Sequence, residues 1–210
     1  MSSFDKTGNL VSVVPEDALS PENVAPLLRG RFGRPYAYFE RCESTQRELA
    51  ADAPEGAVAV AEEQTSGRGR LGHRWHAAPR TSVLASVNLR PDVPTRRLPE
   101  LSLVGGAAVA EAIAAETGLR PEVKFPNDVL IGGRKVAGIL AEAREDRVVL
   151  GIGINANIAA GELPTGLETP ATSLQIETGV PIDRATLLAA VLERLEADYD
   201  AWLSEARRAG

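Results

Sequence analysis

Residues 123–154, VKFPNDVLIGGRKVAGILAEAREDRVVLGIGI, decide the fold. Apolar runs at 129–131 and 135–143 are separated by Gly132-Gly133, and a third run at 147–154 follows the Glu145-Asp146 corner. Each junction has the residues of a tight turn, so each reads as a hairpin, with 123–125 adding a short strand upstream. Consecutive hairpins predict a largely antiparallel sheet. Before them, residues 36–40, 57–62 and 81–89 read as strands, and Thr45 to Glu48 fits a capping box opening a helix that ends near Asp52 and Pro54. Residues 98–117 predict a helix with Leu101, Val104, Ala108 and Ala112 along one face, capped by Gly118, and Gly105-Gly106 points to close packing. Residues 183–207 predict a second long helix whose Leu188, Val191, Leu192, Leu195, Tyr199 and Trp202 recur at core spacing. The fold class that results is α+β, a mixed and largely antiparallel sheet with flanking helices.

The length of 210 residues suits one domain with a sizeable core. Residues 1–34 are polar and carry Pro15, Pro21 and Pro26, which reads as a loosely ordered leader with a short helix, too small for a DNA-binding winged helix. The formal net charge of −6 argues against a broad nucleic-acid or anionic-membrane surface. A single cysteine, Cys42, excludes an intramolecular disulfide, and with only two histidines a His/Cys metal site is not expected. No export signal or membrane-spanning run is legible, which points to the cytoplasm.

Chemistry concentrates in Gly67-Arg68-Gly69-Arg70-Leu71-Gly72-His73-Arg74-Trp75, between the second and third strands. Glycine permits close backbone approach to a ligand and arginine forks suit phosphate or carboxylate, so the loop reads as an anion clamp and a lid that orders over its ligand. Trp75 supplies a flat face for a purine or a core anchor ending the loop. Within KFPND, Asn127-Asp128 is either an ordinary turn or a polar site at a strand end, and Lys135 is either a solvated edge residue or a cation at a pocket mouth. Gly151 to Ala156 matches G-x-G-x-x-A, but no helix begins there, so the glycines are read as allowing a ligand close to the sheet rather than as a dinucleotide fingerprint.

The Ser44-Thr45-Gln46 corner, Gln64 ahead of GRGRLGHRW, then KFPND, KVAGILAE and GIGINAN, in this order, resemble the catalytic domain of bacterial biotin-protein ligases from about Tyr36 to Trp202. The resemblance implies a fold related to class II aminoacyl-tRNA synthetases and to lipoate ligases, with residues 35–210 forming the catalytic domain. It implies biotin, ATP and Mg2+ as the small molecules, and a biotin carboxyl carrier protein or domain as acceptor. By analogy Ser44, Thr45, Gln46 and Gln64 contact biotin, with Gly67, Gly69, Gly138 and Gly153 lining its slot. Lys135, Arg68 and Arg70 are implied as the catalytic cations, touching both substrates. Trp75, Asn127, Asp128 and Asn155 are implied for the nucleotide, with Asp128 nearest the magnesium. Phe125 and His73 depart from the pattern, where members carry Trp and often Arg. The resemblance leaves a homodimer open and implies no nucleic-acid partner, since the DNA-binding domain of the bifunctional repressors has no counterpart here. Many members also continue into a small C-terminal β-barrel, so a chain ending at Gly210 is read as a fragment or a compact variant. A binding module without efficient transfer, and a lipoate-type ligase, are the competing readings.

Overall fold

A computed structural model describes residues 17–208 and two short paired strands, β1 (Ser3–Phe4) and β2 (Leu10–Val11). Of the expected leader, residues 1–2, 5–9 and 12–16 lie outside the described residues. Seven further strands form one sheet: β3 (Tyr36–Phe39), β4 (Val58–Ala61), β5 (Ser82–Leu89), β6 (Glu122–Lys124), β7 (Asp128–Ile131), β8 (Arg134–Arg144) and β9 (Arg147–Asn155). Their order across the sheet is β3-β4-β5-β9-β8-β7-β6. Every pair is antiparallel except β3–β4. That exception follows from the chain path, because β3 and β4 are joined through the one-turn helix α2 (Thr45–Glu48) rather than by a tight turn. The expected mixed, largely antiparallel sheet is therefore found, and both expected turns are present, with Gly132 and Gly133 at φ 55° and 77° and Arg144 paired with Arg147 across the Glu145-Asp146 corner.

The central strands alternate sharply. Val83, Ala85, Val87 and Leu89 of β5 and Val148, Leu150, Ile152 and Ile154 of β9 join the main core. Their neighbours in sequence, including Ser86, Gly151 and Gly153, fall on the opposite face by the two-residue period of a strand. Helices α3 (Leu101–Thr117) and α5 (Arg184–Arg208), the latter following the short α4 (Leu174–Thr178), cover the core face and pack on each other. Gly105 lets α3 sit tightly on the sheet, since a Cβ there would stand 3.0 Å from Leu150 and 3.2 Å from Ile139. The helix starts at Leu101 rather than 98, because the residues before it, with Pro99, form a 3-10 turn, Thr95–Glu100. By composition the run Thr95–Thr117 is long and apolar enough to cross a membrane, which the sequence reading missed. Here its apolar residues, Leu101, Val109 and Ile113 among them, are buried against the sheet and α5.

Two further expectations are corrected. The ordered domain does not begin near residue 35: Ala18, Leu19, Val24, Leu28 and Phe32 are buried, four of them within the main core, and α1 (Pro21–Val24) packs against α5 and β3. Helix α2 ends at Glu48, short of Asp52, and the expected capping box at Thr45 is absent: Ser44 is the N-cap with no side-chain cap bond, and the Thr45 hydroxyl bonds Gln64 and Ser86 instead.

The residues before β3 are fastened to the sheet by a buried ion pair. Arg184, fully buried at the start of α5, donates through Nη1 to Glu62 (2.6 Å) and through Nε to Asp17 (2.8 Å), while the other oxygen of Glu62 accepts from the Leu19 amide (2.8 Å). Removing one member of such a pair strands the other charge in a dry interior, at a cost of about 3 to 5 kcal/mol. Arg184→Met should therefore lower the free energy of unfolding by that amount, read from urea titration as a lower midpoint at an unchanged denaturant slope, and a loss below about 1 kcal/mol would show the pair to be dispensable.

Candidate active site

The face of the sheet not covered by α3 and α5 carries a cavity of about 340 Å³, closed above by the loop between β4 and β5. Its floor is made by missing side chains. Gly138 of β8 lies directly opposite Gly153 of β9, and Gly151 lies opposite Leu140. A Cβ at Gly153 would stand 2.6 Å from the Trp75 indole, one at Gly138 2.9 Å from it, and one at Gly151 2.6 Å from Gln46 Nε2. The indole and the amide therefore lie flat on bare backbone.

One end of the cavity is polar. The Gln64 Oε1 accepts from the Thr45 amide (2.7 Å) and the Thr45 hydroxyl (3.1 Å), and that hydroxyl also meets the Ser86 hydroxyl at 2.8 Å. Gln46 donates through Nε2 to the Leu140 carbonyl (2.9 Å), which leaves its Oε1 buried without a partner. The Trp75 indole N–H is likewise buried and unpartnered. Buried polar groups are nearly always bonded, so an orphan acceptor and an orphan donor on two residues of one cavity's lining are exceptional. Helix α2 is kept in position from behind by Arg147, whose guanidinium donates to the Leu49 and Ala50 carbonyls and to Asn88.

Lys135 marks the other end. By strict alternation it would point with Ala137 and Ile139 into the core, but a bulge in the β7–β8 pairing sets Val129 opposite Ala137 and Leu130 opposite Lys135. One extra residue, Val136, thus turns Lys135 onto the cavity face. Its ammonium lies 2.7 Å from Asp128 and 5.6 Å from the centre of the Trp75 ring, within reach of a cation–π attraction. The chain at 170–172 runs alongside, the Lys135 amide donating to the Pro170 carbonyl (2.7 Å).

The loop itself is a small hairpin. The Trp75 amide donates to the Gly67 carbonyl, the Gly69 amide to the His73 carbonyl and the His73 amide to the Arg70 carbonyl, and Leu71 and Gly72 at its tip have φ 55° and 79°. Leu71 is 88% exposed, so this left-handed leucine is held with no packing in return. Arg68 pairs with Glu142 of β8, whereas Arg70 has no ion pair or side-chain hydrogen bond among the described residues.

Of the residues singled out from sequence, Ser44, Thr45, Gln46, Gln64, Arg68, Gly69, Arg70, Trp75, Asn127, Asp128, Lys135, Gly138 and Gly153 line this one cavity. Two lie outside its lining. Gly67 forms the neck of the hairpin, where a Cβ would stand 2.6 Å from the Trp75 carbonyl oxygen. Asn155, 5% exposed, spends its Nδ2 on the Thr172 carbonyl (2.9 Å) and so fastens the chain beside Lys135. Gly151 lines it too, as the reading of the 151–156 glycines expected, whereas Ser86 and Glu168 line it without having been singled out. For Ser86 the signal was a hydroxyl in the middle of a strand, between Ala85 and Val87. Cys42 is not a nucleophile here: burial first, then Glu48 and Glu43, push its thiol up to about 11, so it stays protonated at neutral pH.

Fold and cavity together define an α+β ligand-binding domain with a bare glycine floor, a polar end and a cationic end. The chain belongs to the biotin/lipoate A/B protein ligase family, whose model matches residues 38–158. It is 42% identical over 176 residues to the bifunctional ligase/repressor BirA of Bacillus spizizenii, covering 80% of this chain and 54% of that protein. The biotin--[acetyl-CoA-carboxylase] ligase of Paracoccus denitrificans is 36% identical over 194 residues, covering 81% of this chain and 80% of that one. Among solved structures, the biotin protein ligase of Aquifex aeolicus in complex with biotin and ATP superposes with a TM-score of 0.74 at 34% identity, over 80% of this chain and 72% of that chain. The chain thus spans about half the length of the Bacillus relative.

The floor makes a sharp prediction. Gly153→Ala should lift the Trp75 indole off the sheet, because the added Cβ would lie 2.6 Å from the ring. In a Trp202→Phe background the Trp75 emission should shift to the red with little change in melting temperature, and an unshifted spectrum would show that the ring does not rest on the floor.

Proposed function

We propose that this chain is an ATP-dependent biotin-protein ligase, which activates biotin as biotinyl-5'-AMP and passes it to a lysine of a biotin carboxyl carrier domain. The observation that carries the reading is the cavity that joins a polar end, Thr45, Gln64 and Ser86, to a cationic end, Lys135 and Arg70, over a glycine floor on which the Trp75 indole rests. The names of the family's relatives support it. A lipoyl or octanoyl chain has no group to bond with the polar end, whereas the ureido ring of biotin brings both donors and an acceptor, so biotin suits it better.

In the first step the biotin carboxylate oxygen attacks the α-phosphorus of ATP, the bond to the bridging oxygen breaks, and pyrophosphate leaves. Both reactants are anions, so the barrier contains their repulsion. Lys135, half-buried and aimed by the bulge, is the cation for the carboxylate, and Arg70, unpaired in the hairpin, is the cation available to the phosphate. The Trp75 ring offers the base an apolar face. In the second step the carrier's lysine amine attacks the acyl carbon, AMP leaves with the bonding pair, and the amine gives up a proton. No nucleophile of this chain takes part, in keeping with the protonated Cys42.

Among the described residues no three His, Cys, Asp or Glu side chains group as a metal site, which suits a magnesium ion that arrives on the triphosphate and keeps most of its waters. Asp128 is the carboxylate beside Lys135 that such an ion would meet, and the ion's chemistry is to neutralise phosphate charge. One chain supplies the whole lining described, so the reading holds for a monomer or a homodimer.

Lys135→Ala is expected to cut biotin-dependent exchange of pyrophosphate into ATP by about 100- to 1,000-fold, the loss of about 3 to 4 kcal/mol typical of one preorganised charge or donor. Normal exchange in that variant would sink the role of Lys135, and no exchange with biotin by the native protein, against exchange with lipoate, would sink the biotin reading. Gln64→Ala should weaken biotin by about tenfold or more while leaving ATP nearly unaffected, as titration calorimetry would show. Equal losses for both ligands would take Gln64 out of the biotin end.

A further inference from the structure

Two arginines two residues apart in the hairpin are in different states. Arg68 gives both terminal nitrogens to one carboxylate, Nη1 to Glu142 Oε2 at 2.9 Å and Nη2 to Glu142 Oε1 at 2.8 Å. Glu142 is a residue of β8 on the cavity face, two positions beyond Leu140, and its side chain is only 22% exposed. Arg144 stands 3.6 Å from the same carboxylate and adds to its charge balance without displacing Arg68. Arg70 has no such partner among the described residues.

A guanidinium held by a parallel two-bond fork has its charge balanced by the carboxylate, and although three of its five N–H groups stay free, turning it to another anion means giving up both bonds. Were Arg68 to leave for a substrate phosphate, Glu142 would be stranded as an unmatched negative charge beside an anion. The hairpin also needs an anchor. Its first arm carries Gly67 and Gly69 around Arg68, and its tip is Leu71-Gly72 in the left-handed region, so its own backbone bonds fix its shape but not its position over the sheet. The Arg68–Glu142 fork is the one side-chain ion pair among the described residues that joins the hairpin to the floor strands.

We propose that Glu142 is a positioning residue that, through Arg68, pins the hairpin over the glycine floor, so that the two arginines divide the work: Arg68 tethers the loop and Arg70 is the cation left for the substrate. The second half of this statement rests on the biotin-ligase reading; the tether itself does not.

The test is Glu142→Gln in the full chain. In the ligand-free protein, amide hydrogen exchange of residues 67–75 should quicken about fivefold, the upper end for a partly exposed pair, while β8 and β9 stay as protected as before. In biotin-dependent pyrophosphate exchange, the biotin KM should rise by a similar factor with kcat within about twofold. The charge-reversed pair Arg68→Glu with Glu142→Arg should restore loop protection that Arg68→Glu alone loses. Unchanged exchange in the loop overturns the tether, and so does faster exchange spread through β8 and β9, which would make Glu142 a support of the sheet. A fall in kcat at constant KM would place Glu142 in the chemical step and overturn the positioning role. A native protein without biotin-dependent pyrophosphate exchange would overturn the biotin reading alone, because the ligand-free amide measurement still decides the tether.

Discussion

Three absent side chains on one face of the β8–β9 hairpin govern the depth of the cavity and, through it, the placing of everything else. Glycine in a strand interior forgoes packing and carries more chain entropy into the unfolded state, roughly 0.5 to 1 kcal/mol each, so Gly138, Gly151 and Gly153 are a structural liability. The opposite face offsets it. Between these glycines stand Ile139, Leu150, Ile152 and Ile154, all buried in the main core under α3 and α5. The sheet is therefore lopsided by composition, thick with branched side chains where the helices cover it and stripped to backbone where a ligand would lie. Gly105 extends the same economy to the covered face by letting α3 settle directly on Leu150 and Ile139.

Charge is arranged with comparable asymmetry. The protein is acidic overall, and most of its arginines are committed to carboxylates or carbonyls, as Arg31, Arg147 and Arg184 are. Around the cavity the commitments are graded. Arg68 is neutralised by a fork, Lys135 shares a single contact with Asp128 while facing the indole, and Arg70 has neither. A cation with one exchangeable partner can turn to a substrate carboxylate at small cost, whereas a doubly bonded one cannot. The order of availability, Arg70 before Lys135 before Arg68, follows from contacts within the chain and needs no ligand to define it.

The hairpin signals were legible because they are local: Gly-Gly and Glu-Asp between apolar runs dictate a turn whatever surrounds them, and β7, β8 and β9 begin and end within a residue or two of where the sequence placed them. The gathering of thirteen expected residues in one cavity was legible through the family's motifs, not through periodicity. What escaped depends on register and on distant partners. The bulge at Val136 cannot be read from a run that alternates poorly in any case, yet it alone decides which face Lys135 takes. The capping box at Thr45 failed because Gln64 and Ser86, far along the chain, compete for that hydroxyl and win. Asn155 carries a motif's asparagine, but the return of the chain at Thr172 claims its amide. Buried Leu19 and Phe32 looked like leader residues because the helix they pack against, α5, comes more than a hundred residues later.

That same packing fixes both ends of the excursion that carries the hairpin. Glu62, in ion pair with Arg184, is the residue after β4 ends; its amide donates to the Phe39 carbonyl and its carbonyl accepts from the Arg80 amide, both at 3.0 Å. Both ends of the 62–80 excursion thus meet at one buried, doubly charged point, and Gln64, two residues on, is already bonded to Thr45 before the glycines begin. The stretch between Gly67 and Trp75 makes its backbone bonds within itself. Gln64 in the polar end and Gly67 at the neck of the hairpin are separated by three residues, and the ion pair that also holds Asp17 and Leu19 to the sheet fixes the point from which both depart.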